Sequence, residues 1–283
     1  MSTTDLKERL DYGLSPTKRL TVPTAEEVLG VQIPVLNHGR VQLVDYMGGD
    51  QAIINAATNY YGLEAVGNPN QKDFLMWLRS RGIRRPFRFA EIKMNMAMPI
   101  TAALTIVPFE EASVNEYSGR YSVMSDDNHN PFGTSSAIGQ GVEALFGKTR
   151  ERYHRLIHED TDLARELARI ILPTGNYTQC YWKVSLESLF TFLRENQNPA
   201  SEVAPYIEQL RKVAQRVAPL AFEAFQAVDE NNERVSLEIR VNDRDIAKRE
   251  RNLNVPYGIS ETRRLTVPAA EGYMFRMQQV LDD

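Results

Sequence analysis

A carboxylate, a hydroxyl, a glycine and a guanidinium stand within one short stretch, Glu116-Tyr117-Ser118-Gly119-Arg120, inside the segment Ala112 to Ser122 that follows an apolar run. That combination suits an anion. Ser118 can donate through its hydroxyl, Gly119 lets a backbone N–H come close to a ligand because no Cβ intervenes, and Arg120 offers a planar fork of donors matched to phosphate oxygens. Glu116 does not bind phosphate, but it accepts from a sugar hydroxyl or orients the arginine. A surface turn has the same composition, so spacing alone leaves both readings open.

The rest of the chain must hold this loop. With 283 residues, 42% hydrophobic and 25% charged, the chain is long enough to bury a sizeable core. Its formal net charge of −4 gives no general basic field, so nucleic acid and anionic membrane are not expected partners and any anion site must be a local cluster. The single cysteine, Cys180, sits between Gln179 and Tyr181-Trp182 and reads as a buried structural thiol. Without an apolar signal segment or a long apolar run, a cytoplasmic protein is expected.

Three segments are expected: an N-terminal arm (1–30), a main body (31–228) and a charged C-terminal extension (229–283). The arm is read as extended, with Pro16 and Pro23 breaking any helix. It has an echo: the run from Tyr12 to Glu26, containing Leu20-Thr21-Val22-Pro23-Thr24-Ala25-Glu26, recurs from Tyr257 to Glu271 with Leu265-Thr266-Val267-Pro268-Ala269-Ala270-Glu271. Two distant copies do not make a solenoid, and both arms are expected to fit similar grooves on a symmetric assembly. In the body, a strand pair with a turn at His38-Gly39 is expected over Ile33 to Tyr46, then a helix Ala52 to Tyr60 with Asp50 as N-cap. A second helix fits Lys72 to Arg79, ending near Gly82. The looser alternation of Phe87, Phe89, Ile92, Met94 and Met96 predicts a strand leading into a buried helix, Thr101 to Val107, that delivers the Ser-Gly-Arg loop. Further helices are expected over Glu143 to His158, Asp162 to Leu172, Glu187 to Asn196 and Glu202 to Phe225, the last with a core stripe from Val203 to Phe225. Asp229 to Arg251 is expected to face solvent. The glycine-rich Pro131 to Gly141 reads as a lid or assembly loop, and the pair His154 and His158 reads as structural, so no metal is expected.

These residues resemble the flavin-dependent thymidylate synthases. Val35-Leu36-Asn37-His38-Gly39 and Leu43 to Asp50 are similar to the family's first strands and helix start, Arg85-Pro86-Phe87 to its Thr-Pro-Phe, Ala112 to Tyr121 to the second half of its signature, and Leu167 to Pro173 with Tyr177-Thr178 and Tyr181-Trp182 to a later block. The resemblance implies an α+β protomer with a central antiparallel sheet and helices, assembling as a homotetramer with active sites between protomers. It also implies FAD, methylenetetrahydrofolate and NADPH as cofactors. By the same resemblance, Glu116, Ser118, Gly119, Arg120 and Arg169 match nucleotide-binding positions, while Thr105 stands for a Gln and Asn196 for the Arg that reads the pyrimidine ring.

The signature is broken where the flavin should be held. The family pattern is Arg-His-Arg, seven residues, then Ser; counting back from Ser118 places Pro108-Phe109-Glu110 there. A flavin-contacting serine becomes Tyr60, and the His, Thr and Glu of His-x-Thr-Pro-Phe-Glu become Ile83, Arg85 and Arg88. Ser185, Glu187, Thr191 and Ala200 stand at the downstream flavin contacts. Phosphate recognition is therefore expected to survive, and FAD to be bound poorly or in another pose. Three functions follow from the resemblance. One is C5 modification of UMP or dUMP, by methylation or a related one-carbon transfer, with an altered or lost flavin site. Another is a flavin-free nucleotide-binding homologue or partner subunit of an active paralogue. The third is a different nucleotide reaction using Glu110, Arg85 or Arg88; the catalytic residues are unassigned.

Overall fold

The computed structural model describes residues 20–61, 70–158 and 165–230. Residues 1–19 of the arm, the whole C-terminal copy from Tyr257 to Glu271, and the charged extension beyond Glu230 lie outside the described residues. Among the described residues two compact units emerge, divided as Met1–Gly48 with Glu91–Val217 and Gly49–Ala90 with Ala218–Asp283.

The first unit is built on a five-stranded antiparallel sheet of order β1-β2-β3-β5-β4, comprising β1 (Gln32–Val35), β2 (Gly39–Met47), β3 (Glu91–Pro99), β4 (Ser113–Glu116) and β5 (Tyr177–Ser185). Alternation decides its faces. Ile92, Met94 and Met96 are buried while Glu91, Lys93 and Asn95 between them are half-buried, and Cys180, Trp182 and Val184 repeat the pattern on β5. Register pairs Met94 with Trp182 and Met96 with Cys180, so the large residues meet across the strands. Burial pushes the Cys180 thiol up to about 12, as befits a structural cysteine.

Helices of the first unit pack on its sheet. In chain order the first unit holds α1 (Pro23–Glu26), and the second α2 (Asp50–Tyr61) and α3 (Gln71–Ser80). The first unit continues with α4 (Ile100–Ile106), α5 (Ala137–His158), α6 (Arg165–Ala168), α7 (Leu186–Glu195) and α8 (Ala204–Val217); α9 (Pro219–Phe225) belongs to the second. On α8, Ile207, Leu210, Val213 and Val217 form the expected buried stripe, and the buried Tyr206 donates its hydroxyl to the Ala97 carbonyl at 3.0 Å.

Several boundaries differ from the sequence expectation. Pro23 does not break a helix; it starts α1, where its fixed φ and missing N–H are harmless. Arg85–Phe89 is a 3-10 turn, so the strand begins at Glu91 and Phe89 is 60% exposed. Ala137–Gly141 is helical and opens α5, leaving only Pro131 to Ser136 of the expected lid as loop. In the described part of the expected helix Asp162 to Leu172, α6 gives way to a 3-10 turn, Arg169–Ile171. The expected helix Glu202 to Phe225 is two, because Pro219 cannot continue α8 and instead opens α9.

The second unit corrects two further expectations. Asp50 caps a different helix from the one expected: as the first residue of α2 it accepts from the backbone N–H groups of Leu220 and Ala221, at 3.0 and 2.8 Å, at the start of α9. Burial raises the Asp50 carboxyl and these two bonds oppose the rise. Asp50→Ala should destabilise the protein by about 0.5–2 kcal/mol in urea unfolding, and Asp50→Asn by less, because the amide oxygen still accepts. Asp229 is 6% exposed where solvent exposure was expected, and Arg79, 2% exposed, binds it through Nε at 2.8 Å. The Arg79 guanidinium also lies 4.9 Å from the centre of the Phe87 ring. Elsewhere the expected second helix stands, with the Asn70 side chain accepting from Lys72 N–H at 3.1 Å and Gly82 following at φ +69°.

Candidate functional site

The loop is positioned by the sheet edge. β4 runs antiparallel to β5 until Glu116 faces Cys180, and the Tyr117 N–H extends the ladder to the Gln179 carbonyl at 2.8 Å. There Thr178, itself buried, donates its hydroxyl to Glu116 Oε1 at 2.9 Å. One carboxylate oxygen is thereby anchored, and the other can accept from a ligand hydroxyl.

Beyond Tyr117 the chain turns back on itself. The N–H groups of Tyr121 and Ser122 both donate to the Ser118 carbonyl, at 3.2 and 3.0 Å, and the Arg120 N–H donates to Ser118 Oγ at 3.3 Å. As an acceptor here, the Ser118 hydroxyl keeps its own hydrogen for an outside acceptor. Gly119 is buried, and its residue type follows from a close approach: a Cβ there would lie 2.6 Å from Met124 Sδ and 3.1 Å from Arg169 Cδ. Met124, Tyr153 and Ala168 form a small core beneath, joined by Tyr117, Leu156 and Leu172, and the Met124 N–H donates to the Tyr153 hydroxyl at 3.0 Å.

A second segment closes against the loop. Arg165 on α6 donates through Nη1 to the Tyr121 carbonyl at 2.7 Å, and Arg120 Nε meets Glu166 Oε2 at 2.7 Å. Arg169 is exposed, and its guanidinium makes no hydrogen bond or ion pair among the described residues. Three arginines and two glutamates, Glu116 and Glu166, thus stand around Ser118 and Gly119, leaving a local positive excess in a chain of net charge −4. Arg165 was missed from sequence, although its i, i+4 spacing to Arg169 on a helix was the available signal.

The structure therefore brings Glu116, Ser118, Gly119, Arg120 and Arg169 together. Thr105 is exposed on α4, and Asn196 follows α7 with its amide donating to the Phe192 carbonyl at 2.8 Å. No hydrogen bond or ion pair joins either to the loop among the described residues.

The positions matched to flavin contacts lie apart from this cluster in chemistry. Pro108 and Glu110 are exposed after α4, while the Phe109 ring packs edge-on to Phe192 at 5.1 Å and at 6.3 Å from Trp182. Ser185 is the N-cap of α7, accepting from the Ser188 N–H at 3.1 Å; Glu187 is 4% exposed and Thr191 half-buried on the same helix. In the second unit, Tyr60 lies on α2, and Arg85 and Arg88 are exposed on the 3-10 turn. A flavin adenine dinucleotide carries two negative phosphates and asks for cations or donors. Phe109, Glu110, Ser185 and Glu187 offer a ring, two carboxylates and a committed hydroxyl, and the buried Trp182 Nε1 is a donor with no hydrogen-bond partner among the described residues. These first-unit residues do not fit that group.

Among the described residues no cluster of His, Cys, Asp and Glu is arranged to hold a metal, and no helix is long and apolar enough to cross a membrane. His154 Nε2 lies 2.7 Å from Asp126 Oδ1, and its ring stacks on His158 at 6.0 Å.

Comparison with known proteins converges on one family. The model of the family described as thymidylate synthase complementing protein matches residues 42–220. Flavin-dependent thymidylate synthase from Ruegeria pomeroyi is 34% identical over 238 residues, covering 75% of this chain and 78% of its own. The enzyme of the same name from Rickettsia conorii is 31% identical over 244 residues, covering 74% of this chain and 83% of its own. Among solved structures, the UMP/dUMP methylase PolB from Streptomyces cacaoi superposes with TM-scores of 0.58, bound with 5-Br UMP, and 0.60, bound with 5-Br dUMP. Identity is 22% and 23%, with 67% and 69% of this chain and 94% and 97% of PolB covered, a likeness of fold. By the match over residues 42–220 and by these relatives, the chain belongs to the thymidylate synthase complementing protein family, that of the flavin-dependent thymidylate synthases.

Proposed function

We propose that the protein binds a pyrimidine nucleoside monophosphate, UMP or dUMP, and modifies its C5 by methylation or a related one-carbon transfer. The observation that carries this reading is the approach of the Arg169 side chain to Gly119, next to Ser118 in the chain, with the Arg169 guanidinium making no hydrogen bond or ion pair among the described residues. Ser118 and Arg169 form a seat for a 5′-phosphate, with Arg120 held alongside by Glu166. Glu116, anchored by Thr178, accepts from a sugar hydroxyl. Asn196, which gives one amide N–H to the Phe192 carbonyl, keeps its oxygen and a second N–H for a base edge, and Thr105 offers a hydroxyl.

The family names and the PolB complexes support this substrate class. Family membership implies FAD, with methylenetetrahydrofolate as carbon donor and NADPH as reductant. Since Phe109, Glu110, Ser185 and Glu187 do not fit a flavin, the reading includes an altered or lost flavin site. Exposed Leu104, Ile138, Leu145 and Ile170, each more than half exposed, support assembly of the protein into the family's homotetramer. The same reading places the reaction in the cytoplasm.

The test is incubation of the full chain with each nucleotide, FAD, methylenetetrahydrofolate and NADPH, followed by mass spectrometry. A nucleotide heavier by one CH2 is the expected product. Nucleotide that is bound and returned unchanged would overturn the C5 chemistry. It would favour the second reading, a nucleotide-binding partner subunit of an active paralogue, which the apolar packing of Phe109 supports. Gly119→Ala tests the seat itself. Its Cβ would force Met124 or Arg169 to shift, and nucleotide affinity should fall about 10-fold or more in equilibrium dialysis, with the melting temperature lowered by a few degrees at most.

A further inference from the structure

The repeated terminal sequence has one copy partly in view, and its seat is well defined. Leu20 to Glu27 lies against β2 and the end of α8. The Val22 N–H donates to the Tyr46 hydroxyl at 2.8 Å, and that hydroxyl in turn donates to the Glu26 carboxylate. Pro23 opens α1, and Ala25 is fully buried. Two peripheral contacts complete the seat: Thr24 Oγ1 donates to the Arg216 carbonyl at 2.6 Å, and Glu27 pairs with Arg216 at 2.6 Å, both at exposed positions.

The C-terminal copy repeats the residue types that make the inner contacts and lacks those that make the outer ones. Val22, Pro23, Ala25 and Glu26 recur as Val267, Pro268, Ala270 and Glu271. Thr24 and Glu27, the two residues that reach Arg216, become Ala269 and Gly272. A buried position that accepts only a small side chain, a proline at a helix start, a donor N–H and a carboxylate for Tyr46 are all conserved within this one chain. Residues 231–256 separate the copy from Glu230, a tether that spans up to about 90 Å when extended.

We propose that the seat formed by Tyr46 and the end of α8 takes either terminal copy of the same chain. Residues 257–271 are then its second, weaker occupant, entering when residues 20–27 leave. The chain thereby carries an internal exchange: the stronger copy holds the N-terminal arm on the first unit, and its release lets the tail take the place. Tyr46 is the common anchor, and Arg216 sets the preference between the copies.

Hydrogen–deuterium exchange on the full chain tests this. In the wild type, amides of 20–27 should exchange slowly and those of 257–271 fast. Thr24→Ala with Glu27→Gly makes the two copies alike at their differing contacts. It should speed exchange of 20–27 about 5- to 30-fold and slow that of 257–271, unchanged on dilution. Adding Glu271→Ala, which alters no described residue, should abolish the slowing. The proposal is overturned if 257–271 does not slow when 20–27 is loosened, if it is already slow in the wild type with 20–27 protected, or if its slowing depends on protein concentration.

Discussion

Arg169→Ala should weaken binding of UMP or dUMP by about 10- to 150-fold, the loss of one charge-assisted contact of roughly 1.5–3 kcal/mol. The effect falls on the ligand because Arg169 is exposed and its guanidinium spends nothing on the described fold. Thermal stability should stay within about 0.5 kcal/mol of wild type, as for ordinary surface substitutions. Arg169→Lys should recover only part of the affinity, since an ammonium supplies charge without the planar fork. Equilibrium dialysis with labelled nucleotide measures both affinities, and thermal unfolding measures the stability. Equal affinity in Arg169→Ala and wild type would remove Arg169 from the site.

Arg79→Ala should destabilise the protein by about 3–5 kcal/mol, toward the lower end because Arg84 still lies 3.5 Å from Asp229. At 6% exposure, Asp229 loses its main partner without gaining water. The arginine's packing over Phe87 goes with it. The double variant Arg79→Met with Asp229→Leu should regain most of the loss, because replacing both charges by apolar groups removes the desolvation cost that a single deletion leaves behind. Urea unfolding of the three proteins separates these terms. A single-variant loss below about 1 kcal/mol would mean that water reaches Asp229.

What was legible in the sequence was mostly local. The His38-Gly39 turn between alternating strands, the apolar face of Phe74, Leu75, Trp77 and Leu78, and the α8 stripe each need only their own periodicity, and each stands in the structure. The Glu116 to Arg120 loop was visible because its composition is unusual, and Arg169 because a resemblance named it. What local pattern could not carry was who meets whom. Asp50 has the composition and place of a cap, but its carboxylate reaches α9 far along the chain. Asp229 sits in a charged run and is nevertheless buried, because Arg79 on α3, with Arg84 nearby, compensates it. Pro219 shows the opposite failure, a strong local breaker outweighed by an apolar stripe that reads as continuous through it. At the flavin positions, sequence gave the residue types; only the structure showed that Phe109 packs against Phe192 and that Ser185 is a helix cap.

On the proposed function, Ser118, Gly119 and Arg169 form a phosphate seat for a pyrimidine nucleotide. A crystal structure of the full chain with 5-bromo-UMP or 5-bromo-dUMP tests it most directly, because the bromine marks C5 and the phosphate marks the other end. The phosphate is expected within hydrogen-bonding distance of Ser118 Oγ, the Gly119 N–H and the Arg169 guanidinium, with a sugar hydroxyl at Glu116. A phosphate seated elsewhere, with Arg169 left without a contact, would contradict it.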